Sequence, residues 1–205
     1  MKKERLIAFT DAVLAIIMTI LVLELAKPVA SNLSAFWDLR NDFFAYALSF
    51  FWLGSLWIGL NGIWEKVDNI SHMVIWWNMI LIFFASLIPY ATSLVSSDYT
   101  SKTMQAFYGL VVILMTVANW ILHLVLDKPN KDNAELLATT RVYRKMLLPD
   151  IAIKIVGLIL ALTVYPPIMS YSVLAAAAFI LTAKGIHERK TKKSESNSLD
   201  KKSKE

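Results

Sequence analysis

The chain has 205 residues, 57% of them hydrophobic and 18% charged, with a mean hydropathy of +0.52. Soluble domains are about 45–50% apolar and about 25% charged, so the composition excludes an ordinary soluble protein. The net charge of +5 favours membrane orientation over a nucleic-acid partner, and the lack of cysteine excludes disulfides, iron–sulfur clusters and thiolate metal sites.

Six apolar segments predict six membrane-spanning helices, because about 20 apolar residues cross a hydrocarbon layer about 30 Å thick. The first is predicted to be retained, since it is too long for a signal peptide and no cleavage site of small residues follows it. A charged connection is predicted over residues 127–145, and Pro166 and Pro167 predict a tight turn before the last span. The predicted spans cover residues 5–26, 43–64, 72–95, 104–126, 147–165 and 168–184.

The distribution of lysine and arginine predicts the orientation of the chain. With the N-terminus inside, only Lys27, Arg40 and Lys102 fall outside, so both termini are expected in the cytoplasm. Lys154 falls within the fifth span, where it is expected to face an interface or to snorkel. Residues 1–184 are predicted as one transmembrane domain and residues 185–205 as a basic, disordered cytoplasmic tail.

The first span contains an acid, Asp11, about two turns inside the helix. A carboxylate there costs on the order of 2.5–3.5 kcal/mol on insertion scales, so its side chain is expected to point into the protein and find donors. Alternatively, Asp11 is a helix-terminal residue near the headgroups, with Thr10 bonded to its own backbone. The candidate donors are Arg5, Trp57, Asn61, Trp77 and Asn78.

An apolar stripe follows Asp11 along the same helix. At about 100° per residue, Ile16, Thr19, Ile20 and Leu23 share one face, whereas Asp11 lies about 220° around the helix from Ile16. The periodicity alone leaves open whether this stripe faces lipid, packs within the protein or lines a pathway.

The start of this helix also carries a recognisable pattern. Arg5, Phe9, Thr10 and Asp11 resemble the RxxxFSD signature of the endosomal/lysosomal potassium channel family and its bacterial relatives. The segments SFFWLGSLW (49–57) and WNMILIFFASLIPYAT (77–92) are similar to the second and third helices of that family. Thr10 replaces the serine but keeps a hydroxyl, and Asn61 stands where many relatives carry the second histidine of a pair.

The resemblance implies an all-α integral membrane protein with six transmembrane helices, no pore-loop selectivity filter and tetrameric assembly around the first helix. It implies a potassium-permeable cation channel, with a hydrophobic constriction formed by Ile16, Ile20 and Leu23 and with Thr19 tied to selectivity. It further implies a bracing network that holds the first helix, comprising Arg5, Phe9, Thr10, Asp11, Asn61, Trp77 and Asn78.

Two other functions are compatible with the residues. A proton- or cation-coupled secondary transporter would use Asp11 as its site, because an acid in a span is typical of such relays. A non-conducting scaffold or lipid-interacting protein would explain the abundance of aromatic residues. No nucleophile–base pair is recognisable, so we expect neither an enzyme nor a cofactor, and the expected partners are further copies of the chain, membrane lipids and monovalent cations, with potassium as the permeant ion.

Overall fold

The computed structural model describes residues 2–202 of the chain, with side chains described through residue 185. Over this range the fold is entirely helical, with eight α-helices and one short 3₁₀ turn, Lys128–Asn130. The helices are α1 (Lys3–Leu23), α2 (Leu33–Asp38), α3 (Arg40–Trp64), α4 (His72–Ser86), α5 (Ile88–Ser97), α6 (Lys102–Asp127), α7 (Ala134–Thr163) and α8 (Ile168–Lys202).

Six stretches of helix are long and apolar enough to cross a membrane, in agreement with the six predicted spans. The third span is divided into α4 and α5, because Pro89 stands in the first turn of α5 and cannot donate the hydrogen bond that would continue α4. Side chains that accept from the backbone three residues later begin four of the helices: Asn32 for α2, Ser71 for α4, Ser101 for α6 and Asn133 for α7.

The helix of the fifth span begins earlier than the predicted span, which covered residues 147–165. α7 begins at Ala134, within the charged connection predicted over residues 127–145. The stretch forms helix because Asn133 caps it and because Leu136 and Thr140 are fully buried against the bundle. Mean hydropathy does not detect such a helix, since its exposed face is charged.

The last helix also extends further than the predicted span. α8 is helical to Lys202 and therefore runs through most of the segment predicted as a disordered tail, whereas residues 203–205 lie outside the described residues. No proline follows Pro167 and no glycine follows Gly185, so the backbone carries no strong helix breaker there. The division of the chain at residue 184 stays a prediction.

The core of the bundle lies around α6. In the most apolar stretch of Lys102–Asn130, 56% of the residues are buried, against 28% in α1, so α6 is central and α1 lies at the edge of the protomer. Buried hydroxyls join neighbouring helices: Ser49 Oγ lies 2.8 Å from Thr92 Oγ1 and 3.2 Å from the Tyr108 hydroxyl. Gly157 lets α7 approach α8 closely, because a Cβ there would collide with the Ser172 hydroxyl.

Candidate ion pathway and first-helix anchor

The predicted constriction residues lie on the open face of α1. Ile16 is 57%, Ile20 37% and Leu23 78% exposed in the isolated protomer. Thr19 is exposed beside them, and its hydroxyl donates to the Ile16 carbonyl at 2.8 Å. The structure therefore brings these four side chains to one surface of the protomer, where each of them remains at least partly open.

The opposite face of α1 is packed against the protein. Leu6, Thr10, Leu14, Ile17 and Leu21 are each at most 3% exposed, at a spacing of three to four residues that puts them on one side of the helix. This side contacts α3, α4 and α5. α1 therefore has two apolar faces, one buried in the protomer and one exposed. An exposed apolar face is unfavourable in water, so lipid or another protein chain is expected to cover it.

A shallow apolar recess adjoins the exposed stripe. It has a volume of about 440 Å³ and lies between α1 and the start of α5, with Ile16 and Ile20 on one wall and Pro89 and Tyr90 on the other. Glu24 lies at its edge, the only acid among its lining residues. The exposed stripe is thus one wall of a concave surface, which is suited to receive a side chain or helix from outside the protomer.

Thr10 anchors α1 from within. Its hydroxyl is buried, donates to the Leu6 carbonyl at 2.8 Å and accepts from Asn78 Nδ2 of α4 at 2.7 Å. Asn78 is fully buried, and its Oδ1 atom has no hydrogen-bond partner among the described residues. The bond to Thr10 is therefore the hydrogen bond that this buried side-chain amide makes among the described residues, so removing the Thr10 hydroxyl is costly.

Asp11 contacts a second helix. Trp57 Nε1 of α3 donates to Asp11 Oδ1 at 2.9 Å, and Trp57 is 39% exposed. The acid and the neighbouring hydroxyl therefore connect α1 to α3 and α4 at the same level. Trp57 was among the candidate donors predicted from the sequence but is not part of the bracing network implied by the resemblance.

For the other predicted bracing residues, the structure gives a position on the helices but less evidence of a bracing contact. Arg5 and Phe9 are exposed on α1, and Trp77 packs half-buried against the core. No hydrogen bond of the Arg5 or Asn61 side chain is found among the described residues, and Asn61 is half-buried on α3. The structure brings together Thr10 with Asn78 and Asp11 with Trp57, and the roles of the remaining residues in bracing α1 stay predictions.

Replacing Thr10 tests the anchor. Thr10→Val keeps the shape of the side chain but leaves Asn78 Nδ2 without an acceptor in a buried site, so we expect a loss of about 1–3 kcal/mol in the free energy of unfolding. Thr10→Ser retains the hydroxyl and should lose clearly less. Thermal unfolding of the purified protein, followed by tryptophan fluorescence, measures both, and equal losses would show that the hydroxyl does not matter.

The start of α1 is also held by the loop between α3 and α4. Lys3 Nζ donates to the Val67 carbonyl at 2.6 Å. The same loop is bonded to the other half of the protomer, because Asn130 Oδ1 accepts from the backbone amides of Asp68 and Asn69 at 3.1 and 2.8 Å. This loop therefore contacts both α1 and the junction of α6 and α7, a connection for which the sequence pattern offered no signal.

Sequence reasoning also missed a buried ion pair. Lys154 was expected to face an interface or to snorkel, and it does not snorkel. The residue is fully buried where α7 meets α6, and its Nζ donates to Asp150 Oδ2 at 2.7 Å and to Thr116 Oγ1 at 2.9 Å. The ammonium also lies 4.9 Å from the centroid of the Trp52 ring. The i, i+4 spacing of Asp150 and Lys154 was a signal that could have indicated the pair.

Comparison with known proteins decides the family. The model of the family described as endosomal/lysosomal potassium channel TMEM175 matches residues 5–89. The potassium channel HX13_20290 of Chryseobacterium sp. (strain P1-3) is 35% identical over 136 residues, which are 66% of this chain and 71% of that protein. The chain belongs to the TMEM175 family.

Two further comparisons agree with this assignment. The potassium channel B446_29190 of Streptomyces collinus is 25% identical over 122 residues, 56% of this chain and 59% of that protein. The crystal structure of a lysosomal potassium-selective channel TMEM175 homolog from Chamaesiphon minutus superposes with a TM-score of 0.70 at 22% identity, covering 88% of this chain and 97% of that one. The resemblance predicted from the first helix and the six-span all-α fold are therefore confirmed, and membership in a family of channels means that the chain is not an enzyme.

Proposed function

We propose that the chain is a potassium-permeable cation channel formed by four copies, in which α1 lines the shared axis. The observation that carries this proposal is the exposed apolar stripe on α1 of a chain whose family is known for channels. The core of the protomer lies around α6, and α1 lies at the edge. The open face of α1 is therefore available to other copies of the chain. The relatives named potassium channels supply the choice of ion.

The proposed constriction works by excluding water. Rings of Ile16, Ile20 and Leu23, one from each copy, would surround the axis in three layers spaced about a turn apart. A narrow apolar ring expels water and so blocks ions without a plug, and a small movement of α1 that widens it lets hydrated cations pass. Thr19, exposed among these residues, supplies the only hydroxyl on this face and is the proposed contributor to selectivity. Potassium is the permeant ion, and no cofactor takes part.

Asp11 has a positioning role in this proposal. Its carboxylate accepts from Trp57 on α3, and the adjacent Thr10 is bonded to Asn78 on α4. These bonds hold α1 against its own protomer while the opposite face remains open to the axis. A transporter that used Asp11 to carry a proton or cation would instead show flux that saturates and depends on a counter-ion gradient.

The proposed orientation follows from the charges. Both termini face the cytoplasm, beneath a bacterial inner membrane, because the cytoplasmic side then carries most of the 21 lysine and arginine residues. In this orientation the Thr10–Asn78 and Asp11–Trp57 bonds lie at the cytoplasmic end of α1, and Leu23 lies at its outer end. The faces of the protomer turned away from the axis contact membrane lipids.

Reconstitution into liposomes tests conduction. We expect vesicles that contain the purified protein to release potassium faster than empty vesicles, at a rate that does not require a counter-ion gradient. Potassium flux equal to that of empty vesicles would overturn the proposal.

A cysteine variant tests the assembly, since the chain contains no cysteine of its own. Leu23→Cys should form disulfide-linked dimers on oxidation, because the axis brings copies of this side chain together. Leu110→Cys, on α6 and 50% exposed, is the matched control and should remain monomeric on a denaturing gel. Equal cross-linking of the two variants would argue against α1 at the axis.

A further inference from the structure

An apolar groove runs along the protomer between α3 and α8. It has a volume of about 280 Å³, and its wall on α3 extends from Phe44 to Ser55, which corresponds to about 16 Å of helix. The groove is open to the surroundings of the protomer, since its wall residues Phe51 and Leu181 are 73% and 56% exposed. Ala178 on the α8 wall leaves space because its side chain is small. A long apolar groove on a membrane-spanning protomer is suited to a lipid acyl chain.

The groove adjoins a polar cavity inside the protomer. Trp52, Ser55 and Ala177 line both spaces, so the groove leads directly to the cavity. The cavity has a volume of about 50 Å³ and lies between α3, α6, α7 and α8, with Asn119 and His123 among its walls. One continuous space therefore has an apolar part that opens to the membrane and a polar part within the bundle.

Two buried polar atoms of the cavity walls have no partner. Asn119 Oδ1 and His123 Nδ1 make no hydrogen bond among the described residues, although Asn119 is only 8% and His123 only 1% exposed. Buried polar atoms in native proteins almost always have a partner, which can be an ordered water or a ligand. An amide oxygen only accepts, whereas an imidazole nitrogen accepts or donates according to its tautomer. A hydroxyl group is complementary to both atoms, because it can donate and accept.

The order of the two spaces along the helices matches a lipid molecule. On α3 the cavity extends to Gly59, toward the helix end at Trp64, whereas the groove extends in the opposite direction to Phe44. The cavity therefore lies closer to the membrane surface at which α3 ends, and the groove continues from it through the middle of the span. A lipid of that leaflet has the same arrangement, with its polar head near the surface and its acyl chain directed inward.

The cavity favours a small, uncharged head. It has room for roughly three to five waters at about 10–15 Å³ each, which corresponds to a glycerol and not to a sugar. The charged walls already have contacts, because Lys154 is bonded to Asp150, and Lys184 Nζ lies 4.8 Å from the Tyr143 ring centroid. The unpartnered atoms are those of an amide and an imidazole, so the ligand needs no charge. Gly59 also lies more than one turn inside the end of α3, where a charged headgroup would be costly.

We infer that the groove and the cavity together bind one monoacylglycerol, with its acyl chain between α3 and α8 and its glycerol hydroxyls bonded to Asn119 and His123. The single groove takes one chain, and the two unpartnered atoms take two hydroxyls. The site uses no residue of α1 among its described walls and does not require the assembly, so it stands independently of the proposed channel.

Thermal unfolding of the full-length protein tests the ligand. The protein is delipidated in lauryldimethylamine oxide, a detergent without hydroxyl groups, and we expect monoolein to raise the midpoint. Methyl oleate, which has the same chain without hydroxyls, should raise it clearly less, and glycerol at the same concentration should leave it unchanged. Equal shifts with monoolein and methyl oleate would overturn the inference. It would also be overturned if monoolein had no effect, which would leave water as the partner of Asn119 and His123.

Two variants test the position of the ligand. Ala178→Trp fills the groove from an exposed position, and Asn119→Leu removes an acceptor while keeping a side chain of similar size. Each should need about tenfold more monoolein for the same shift, because it removes part of the chain contact or one hydrogen bond. Ala152→Trp is the matched control and should respond like the original chain, since Ala152 is exposed on α7 and is absent from the described walls of both spaces.

The groove variant keeps the test decisive even if Asn119→Leu folds poorly, because Ala178 is exposed and its replacement disturbs little packing. If Ala178→Trp responds to monoolein as Ala152→Trp does, the lipid does not occupy the groove and the inference fails. The readout does not involve ion flux, so such a failure leaves the channel proposal unaffected.

Discussion

Replacing Lys154 with methionine should destabilise the protomer by about 3–5 kcal/mol, the cost of leaving one partner of a buried ion pair uncompensated. The variant removes the ammonium group that donates to Asp150 at 2.7 Å, and both residues are at most 2% exposed. It also removes the hydrogen bond to Thr116 and the contact with the Trp52 ring, which together tie α7 to α6 and α3. We expect a lower midpoint of thermal unfolding and less folded protein recovered from the membrane.

A double variant separates the charge from the packing. Asp150→Leu combined with Lys154→Met replaces the pair by apolar side chains of similar size, which in other buried pairs is neutral or stabilising by about 1–4 kcal/mol. It should therefore recover most of the stability lost in the single variant. Lys27→Met, at an exposed position between α1 and α2, controls for the loss of a lysine. A double variant as unstable as Lys154→Met would show that packing, and not the unpaired carboxylate, causes the loss.

The spans were predictable because hydrophobic length is a local property of the sequence. Features that depend on neighbouring helices were not. The stretch before the fifth span was predicted only as a charged connection, yet Leu136 is buried against the bundle and the segment is helical from Ala134. Lys154 looks like a snorkelling side chain, yet Asp150 one turn earlier and Thr116 on another helix supply its partners. In both cases a tertiary contact that no window of the sequence contains helps to decide the structure: the packing of Leu136 against the bundle, and the bond from Lys154 to Thr116.

The bonds that anchor α1 show the same difference between what the local sequence predicts and what the packing of neighbouring helices decides. That Asp11 should find donors followed from the cost of a carboxylate within a span. Which donor it finds depends on how α3 and α4 pack against α1: Trp57 donates to Asp11, whereas Asn78 donates to the neighbouring Thr10. Asn61 lies on α3, one turn beyond Trp57, yet its side chain is half-buried and takes no part in these bonds. A helical position predicts which face a residue occupies, whereas a hydrogen bond also requires the correct height and rotamer.

The exposed stripe of α1 is the point on which the channel proposal depends. In one protomer, a stripe that faces lipid and a stripe that faces a shared axis are equally apolar and equally exposed. Two observations favour the axis. Thr19 adds a hydroxyl to the stripe, and Glu24 lies at the edge of the adjoining recess, whereas a face that contacts acyl chains gains nothing from either.

Replacing Ile16 with asparagine should increase potassium flux through reconstituted liposomes by about tenfold or more. In the proposed tetramer, an apolar ring blocks ions because water leaves it, and four amides in its place would keep it wet, so that a cation would no longer face a dry barrier. A reduction of about 1.4 kcal/mol in that barrier gives a tenfold rise in rate. Ile16 is 57% exposed in the protomer, so the substitution disturbs little packing within the chain. Flux is measured by a potassium-sensitive dye in vesicles with equal protein content.

The matched control is Ile159→Asn on α7, a residue that is 55% exposed on a helix other than α1. It introduces the same amide at nearly the same exposure, and its flux should equal that of the original chain. Leu23→Ala should raise flux less than Ile16→Asn, because it widens one ring without making it polar. An increase in both asparagine variants would point to leaky membranes, and an unchanged rate for Ile16→Asn would place the barrier away from α1. Only a barrier made by the α1 stripe predicts a response confined to Ile16 and Leu23.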